Sequence, residues 1–187
     1  MKSENQTSLP NKPLAWGVAV ASALMRLVPH LENFSPVGGS SLFAGARIAG
    51  WKAYVLPPAV LFLTAPILGY LFNYAPYSWI NLVVYASLLI NVRIGRLLAG
   101  SRRPWAIGGA ALLCSTQFFL ITNFGFWLSG VGYPYSLAGL AACFLAAIPY
   151  FGRTVASDLL YAGLCFGAYE ALIRLNRLNR GQVPAGS

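Results

Sequence analysis

Arg26, Asn81, Tyr85, Thr122, Asn123 and Asp158 are polar side chains set inside or at the ends of long apolar runs. An ionisable residue in such a run is costly, and it turns toward a partner, the protein interior or a water-filled cavity. The chemistry these residue types offer is recognition through hydrogen bonds and charge. Arg26 and Asp158 are open to two readings: a structural ion pair, or contacts to a polar ligand. Glu170 differs, because Arg174 follows four residues later at a helical spacing for pairing.

Catalysis has little to work with. His30 is the single histidine and has no nucleophile assigned to it. Trp127-Leu128-Ser129-Gly130 lacks the first glycine of a rhomboid-type Gly-x-Ser-Gly motif, and no phosphate-binding glycine loop is present. Asp158 and Glu170 are read at opposite leaflets, so they share no reacting atom. Cys114, Cys143 and Cys165 have no CxxC spacing and no companion histidine, which argues against zinc and against a disulfide framework. No enzyme activity, metal or cofactor is expected.

The stretch richest in recognition chemistry runs from Thr122 to Tyr135 (TNFGFWLSGVGYPY). Its aromatic rings fit a belt at a membrane interface. They equally fit a pocket wall, since small-molecule sites are mostly apolar with a few placed polar groups.

The elements that position these residues follow from composition. The chain is 57% hydrophobic and 9% charged, against about a quarter charged in soluble domains. That predicts an integral membrane protein and an all-α fold. Its 187 residues allow roughly six spans at about 20 residues each. The net charge of +9 lies mainly in arginines flanking apolar runs, a topology signal rather than a nucleic-acid surface. A polar tail (1–12), one transmembrane domain (13–175) and a basic tail (176–187) are expected. No cleavable leader is apparent, and the Asn5-Gln6-Thr7 glycosylation sequon falls on the first tail.

Spans are predicted over about 13–28, 40–50, 54–72, 78–98, 104–127 and 154–174. Pro57, Pro58 and Pro66 should kink the third. The cluster Arg93, Arg96, Arg102 and Arg103 places the loop after span four in the cytoplasm. Residues 136–151, broken by Pro149, are read as a short re-entrant or interfacial helix, because a full span there would put Arg174, Arg177 and Arg180 outside. Both termini are then cytoplasmic. This topology gathers Asn33, Phe34, Asn81, Tyr85, Thr122, Asn123, Trp127, Tyr133, Asp158 and Tyr161 near the outer leaflet as a ligand-binding set, with Arg26 beside them. Ala15, Ala19 and Ala23 form a small-residue stripe on span one. Such a stripe lets another helix approach closely, either within the chain or from a second protein.

Ala15/Ala19/Ala23, Asn33-Phe34-Ser35-Pro36, and Ala147-Ile148-Pro149 running on to Asp158-Leu159-Leu160 resemble the plan of the substrate-binding S components of energy-coupling-factor vitamin transporters. Arg26-Leu27-Val28-Pro29-His30, Asn33-Phe34-Ser35-Pro36-Val37-Gly38 and Asn123-Phe124-Gly125-Phe126-Trp127-Leu128-Ser129-Gly130 are similar to an uncharacterised, S-component-like family of small bacterial membrane proteins. Members of that family often carry a Ser-Asp pair late in span three, where this chain has Ala65-Pro66. The resemblance implies a protein of the bacterial inner membrane. It implies a vitamin-like ligand bound from outside, under the loops after spans one, three and five. It also implies a transmembrane coupling protein with ATPase subunits, docked on the alanine stripe. A scaffold without a ligand, and an enzyme acting on a lipid or isoprenoid, are the alternatives.

Overall fold

The computed structural model describes residues 12–28, 33–73 and 75–179. The first tail, the loop around His30, Tyr74 and the chain from Arg180 onward lie outside the described residues. The described chain is all helical, with six α-helices: α1 (Lys12–Leu24), α2 (Val37–Arg47), α3 (Lys52–Phe72), α4 (Ile80–Arg96), α5 (Pro104–Leu128) and α6 (Leu137–Asn179). A 3-10 turn at Met25–Leu27 extends α1. Among the described helices, α3, α5 and α6 are long and apolar enough to cross a membrane. With 13, 11 and 17 residues, α1, α2 and α4 fall short of the roughly 20 that a perpendicular span needs.

The molecule is built around α2, which touches every other α-helix. Ten of its eleven residues are buried. Its sequence, VGGSSLFAGAR, explains how: small side chains let neighbouring backbones come close. A Cβ on Gly45 would lie 2.1 Å from the Val92 carbonyl oxygen, and one on Gly95 would lie 2.2 Å from that of Leu42. Phe43, the one large ring in α2, fills the middle and meets Phe166 and Tyr169 edge-on, with centroids 5.2 and 5.6 Å away.

Two expectations are corrected here, on residues 136–151 and on Glu170, and one left open, the partner of the alanine stripe, is resolved. Residues 136–151 are not a separate helix, because α6 runs unbroken through Pro149 for 43 residues. At a rise of 1.5 Å per residue it is about 65 Å long. A proline removes one helix hydrogen bond, but α6 continues past this one, with the strong helix formers Ala146 and Ala147 in the turn before it. The alanine stripe faces inward: Ala15, Ala19 and Ala23 are buried and pack within the chain's own core, so a second protein cannot dock on it in this arrangement. Glu170 pairs with Arg102 at 3.1 Å and Arg47 at 3.9 Å rather than with Arg174. Tertiary packing brings the turn before α5 and the end of α2 to it.

The 122–135 stretch closes on itself. Trp127 Nε1 donates to the Pro134 carbonyl at 3.0 Å and the Tyr135 hydroxyl to that of Leu128 at 3.0 Å. Gly130, at φ +69°, has the Tyr135 ring against it. These bonds cap the α5–α6 turn. Trp127→Phe removes one of them while keeping the ring, so it should cost about 1 kcal/mol, some 2–4 °C in melting temperature by about the usual conversion at this size. A scan showing no shift would mean that the bond does not hold the turn.

Candidate functional site

A cavity of about 720 Å³ lies where α2 begins and α6 passes its midpoint. This volume falls within the roughly 300–1,000 Å³ of small-molecule sites. Helical spacing explains which side chains reach it. On α3 they are Leu61, Leu68 and Phe72, and on α4 Val84, Leu88 and Asn91. Steps of three, four and seven residues put each set on one helix face. Phe118 of α5 and Val37 of α2 complete the apolar wall. Polar groups enter on one side: Thr154, Ser157 and Asp158 from α6, and Arg26, Asn33 and Ser35 from the segment before α2.

Asp158 is buried, and its carboxylate lies against the first turn of α2. Ser115 Oγ donates to Oδ2 at 2.7 Å, and the Gly39 amide also acts on the carboxylate. The first amides of a helix lack partners within it and carry partial positive charge. Pro36, the N-cap of α2, makes no side-chain cap bond. Asp158 therefore does for α2, from another helix, what an Asp N-cap does locally. Gly38 makes room for it, since a Cβ there would sit 2.0 Å from Oδ1. Arg26 donates to Thr64 Oγ1, and the described ion pairs do not join it to Asp158. The two charges thus line one cavity on separate partners.

A second polar network links α4 and α5, and through Asn91 it reaches the cavity wall. Gln117 Nε2 donates to the Ser87 carbonyl at 3.1 Å and to Asn91 Oδ1 at 2.6 Å, and Ser87 Oγ donates to Gln117 Oε1 at 3.1 Å. Asn91 is fully buried, and its Nδ2 has no hydrogen-bond partner among the described residues.

Among the residues expected at a site, Arg26, Asn33 and Asp158 line this cavity. Thr122 and Asn123 border a smaller adjoining space of about 120 Å³, which shares Asn33, Phe118 and Thr154 with it. Their side chains donate back to the carbonyls of Phe118 and Phe119. Phe34 and Tyr161 meet each other at 6.1 Å and hold the segment before α2 onto α6. Tyr85 packs behind the wall. Asn81 donates to the Pro76 carbonyl at 3.1 Å and closes the turn before α4. Trp127 and Tyr133 belong to the α5–α6 turn, Tyr133 resting edge-on to Phe126. Asn91, Ser115 and Gln117 were missed. The available signal was that polar residues occur in the middle of two consecutive apolar helices, and each needs a partner there.

Among the described residues no group of three His, Cys, Asp or Glu could hold a metal ion. Cys114, Cys143 and Cys165 are free and buried. Among the described residues, the arrangement can hold a molecule by apolar contact and orient it with one carboxylate, one guanidinium, two amides and a few hydroxyls. No curated protein and no solved structure matches the chain. A family model described as a family of unknown function (DUF6580) matches residues 6–180, and the chain belongs to that family.

Proposed function

We propose that this is an integral membrane protein that captures a small, vitamin-like nutrient from the outer side of a bacterial inner membrane, for transport. The observation that carries the reading is the cavity: ligand-sized, mostly apolar, with Asp158, Arg26 and Asn91 on its wall. Buried polar groups in an apolar bundle are expensive, and ligand recognition accounts for their sharing one space.

The distribution of charge supports the orientation. Arg47 donates to the carbonyls of Leu98 and Ser101, Arg96 to those of Ile48 and Gly50, and Arg102 pairs with Glu170. The basic turn after α4 and the basic end of α6 thus share one end of the bundle, and short basic segments are retained in the cytoplasm. On this reading six helices make up the membrane domain, both termini are cytoplasmic and the cavity belongs to the outer half. With the alanine stripe internal, any coupling protein would engage another surface.

The test is thermal shift and native mass spectrometry on purified protein, screened against a panel of water-soluble vitamins and related metabolites. One chemical class should raise the melting temperature. Val84→Trp, which fills the cavity from α4, should abolish the shift. Asp158→Asn should weaken binding about tenfold or more, the scale of one lost charged hydrogen bond. If no panel member binds, or if binding ignores Val84→Trp, the proposal is wrong.

A further inference from the structure

Asn91 offers a more specific reading of the same cavity, one that rests on the ligand-binding proposal. Its amide orientation is settled by its neighbours. Gln117 Nε2 faces the Ser87 carbonyl as well as Asn91, so that end of Gln117 must be the donor. Asn91 therefore presents Oδ1 to Gln117 and is left with Nδ2 as an unmatched donor.

The cavity wall that Asn91 shares is mostly apolar. Val37, Leu61 and Leu88 form a buried cluster with Val84 and Phe118 packed against it, and the same five residues line the cavity with Asn91. Asn91 lies about 16 Å along α4 from Ile80, by the helix rise, so it sits deep, away from the 73–79 turn. A buried donor without an acceptor is a standing cost, and native proteins rarely leave one unmatched. Among the described residues the two charges that line the cavity, Arg26 and Asp158, are opposite in sign, so these two together favour neither an anion nor a cation.

We propose that Asn91 is the specificity residue of this cavity, and that the ligand is a neutral or zwitterionic ring compound that offers a carbonyl oxygen or ring nitrogen to Asn91 Nδ2. The ring then lies between Leu61, Leu88 and Phe118. A site built to hydrogen-bond its ligand discriminates strongly against an analogue lacking the matching atom, because its own polar group is then left unpaired.

The experiment uses full-length protein in detergent micelles or nanodiscs, with benzimidazole and indole as probes. Both are uncharged at neutral pH and share one bicyclic outline, but only benzimidazole has an acceptor nitrogen in place of a ring CH. Titration calorimetry or ligand-observed NMR should show benzimidazole binding about tenfold tighter or more, one unpaired buried group's worth. Asn91→Leu should bring the two probes to equal affinity, mainly by weakening benzimidazole. Asn91→Ser serves the same purpose if the leucine variant does not fold, and the wild-type ratio decides even without a variant. Equal affinities for the wild type would mean that water serves Asn91, which overturns the inference while leaving the cavity a binding site. A preference that survives both variants overturns it too, by placing recognition elsewhere. If neither probe binds at millimolar concentration the inference also falls. The broader reading falls with it only if the vitamin panel is silent as well.

Discussion

Gly45→Val should leave little folded protein, and Gly45→Ala alone should lower the melting temperature sharply. An added Cβ at Gly45 would stand 2.1 Å from the Val92 carbonyl oxygen and 2.9 Å from its carbon. Those atoms are backbone, so no side-chain rotation relieves the clash. α2 and α4 must move apart, and because α2 touches every other α-helix the displacement spreads. Overpacking that neighbours can absorb costs about 1–3 kcal/mol. Here the alanine change is expected at the top of that range and valine beyond it. Against a total stability of roughly 5–15 kcal/mol, that is enough to lose the native state. Gly95→Ala meets the reciprocal obstacle, the Leu42 carbonyl oxygen at 2.2 Å. Gly163 and Gly167 are the controls, since a Cβ at either meets nothing within 4 Å and alanine there should be neutral or slightly stabilising. Fluorescence-detected size-exclusion after heating reads all four. A Gly45→Val protein as stable as the parent would remove close α2–α4 packing as the basis of the fold.

The second large effect is at the other end of α2. Arg47 is 3% exposed. Its guanidinium lies over Phe166 at 4.8 Å and Tyr169 at 5.8 Å and donates to the Leu98 and Ser101 carbonyls, with Glu170 beyond. Arg47→Met keeps the length but orphans two carbonyls and half of Glu170's pairing. Removing one member of such a buried set should cost about 3 kcal/mol. Arg47→Lys should recover little of it, because one ammonium cannot bridge two carbonyls and stack flat on a ring. Arg174→Ala, at an exposed position, should stay within about 0.5 kcal/mol. If Arg174→Ala were the more damaging of the two, Glu170 would be paired along its own helix after all.

Together Asp158 and Arg47 tie α2 to α6 at both ends. A carboxylate lies at the N-terminus of α2 and a cation at its C-terminus, each sign matching the helix dipole. This leaves the short helix with no free end, and at its N-terminus it sets Asp158 on the cavity wall.

Local pattern made much of this legible. α3 at Lys52–Phe72 and α5 at Pro104–Leu128 follow from apolar runs bounded by Lys52, Asn73, Arg103 and Ser129, close to the expected 54–72 and 104–127. Asp158 and Arg26 stood out because polar groups cost most in apolar company, and Asn33 because it lies in a polar loop placed on the same side. What local pattern could not supply was pairing. Asn81 and Asn91 share one face of α4 with Val84 and Leu88, yet of the two only Asn91 lines the cavity, because Asn81 sits in the first turn and donates back to the Pro76 carbonyl. The alanine stripe fits an internal neighbour or a second protein equally well until α2 is seen lying against it.

The sequence by itself determined the all-helical character, the positions of most helices and the short list of polar residues that need partners, because those depend on composition and on the 3.6-residue period. Only the tertiary structure decided that α2 is the core, that α6 is continuous through Pro149, that Glu170 answers to Arg102 and Arg47, and that the Thr122–Tyr135 stretch caps a turn. Each of these turns on which backbone comes within reach of which side chain, a long-range contact that no local spacing encodes.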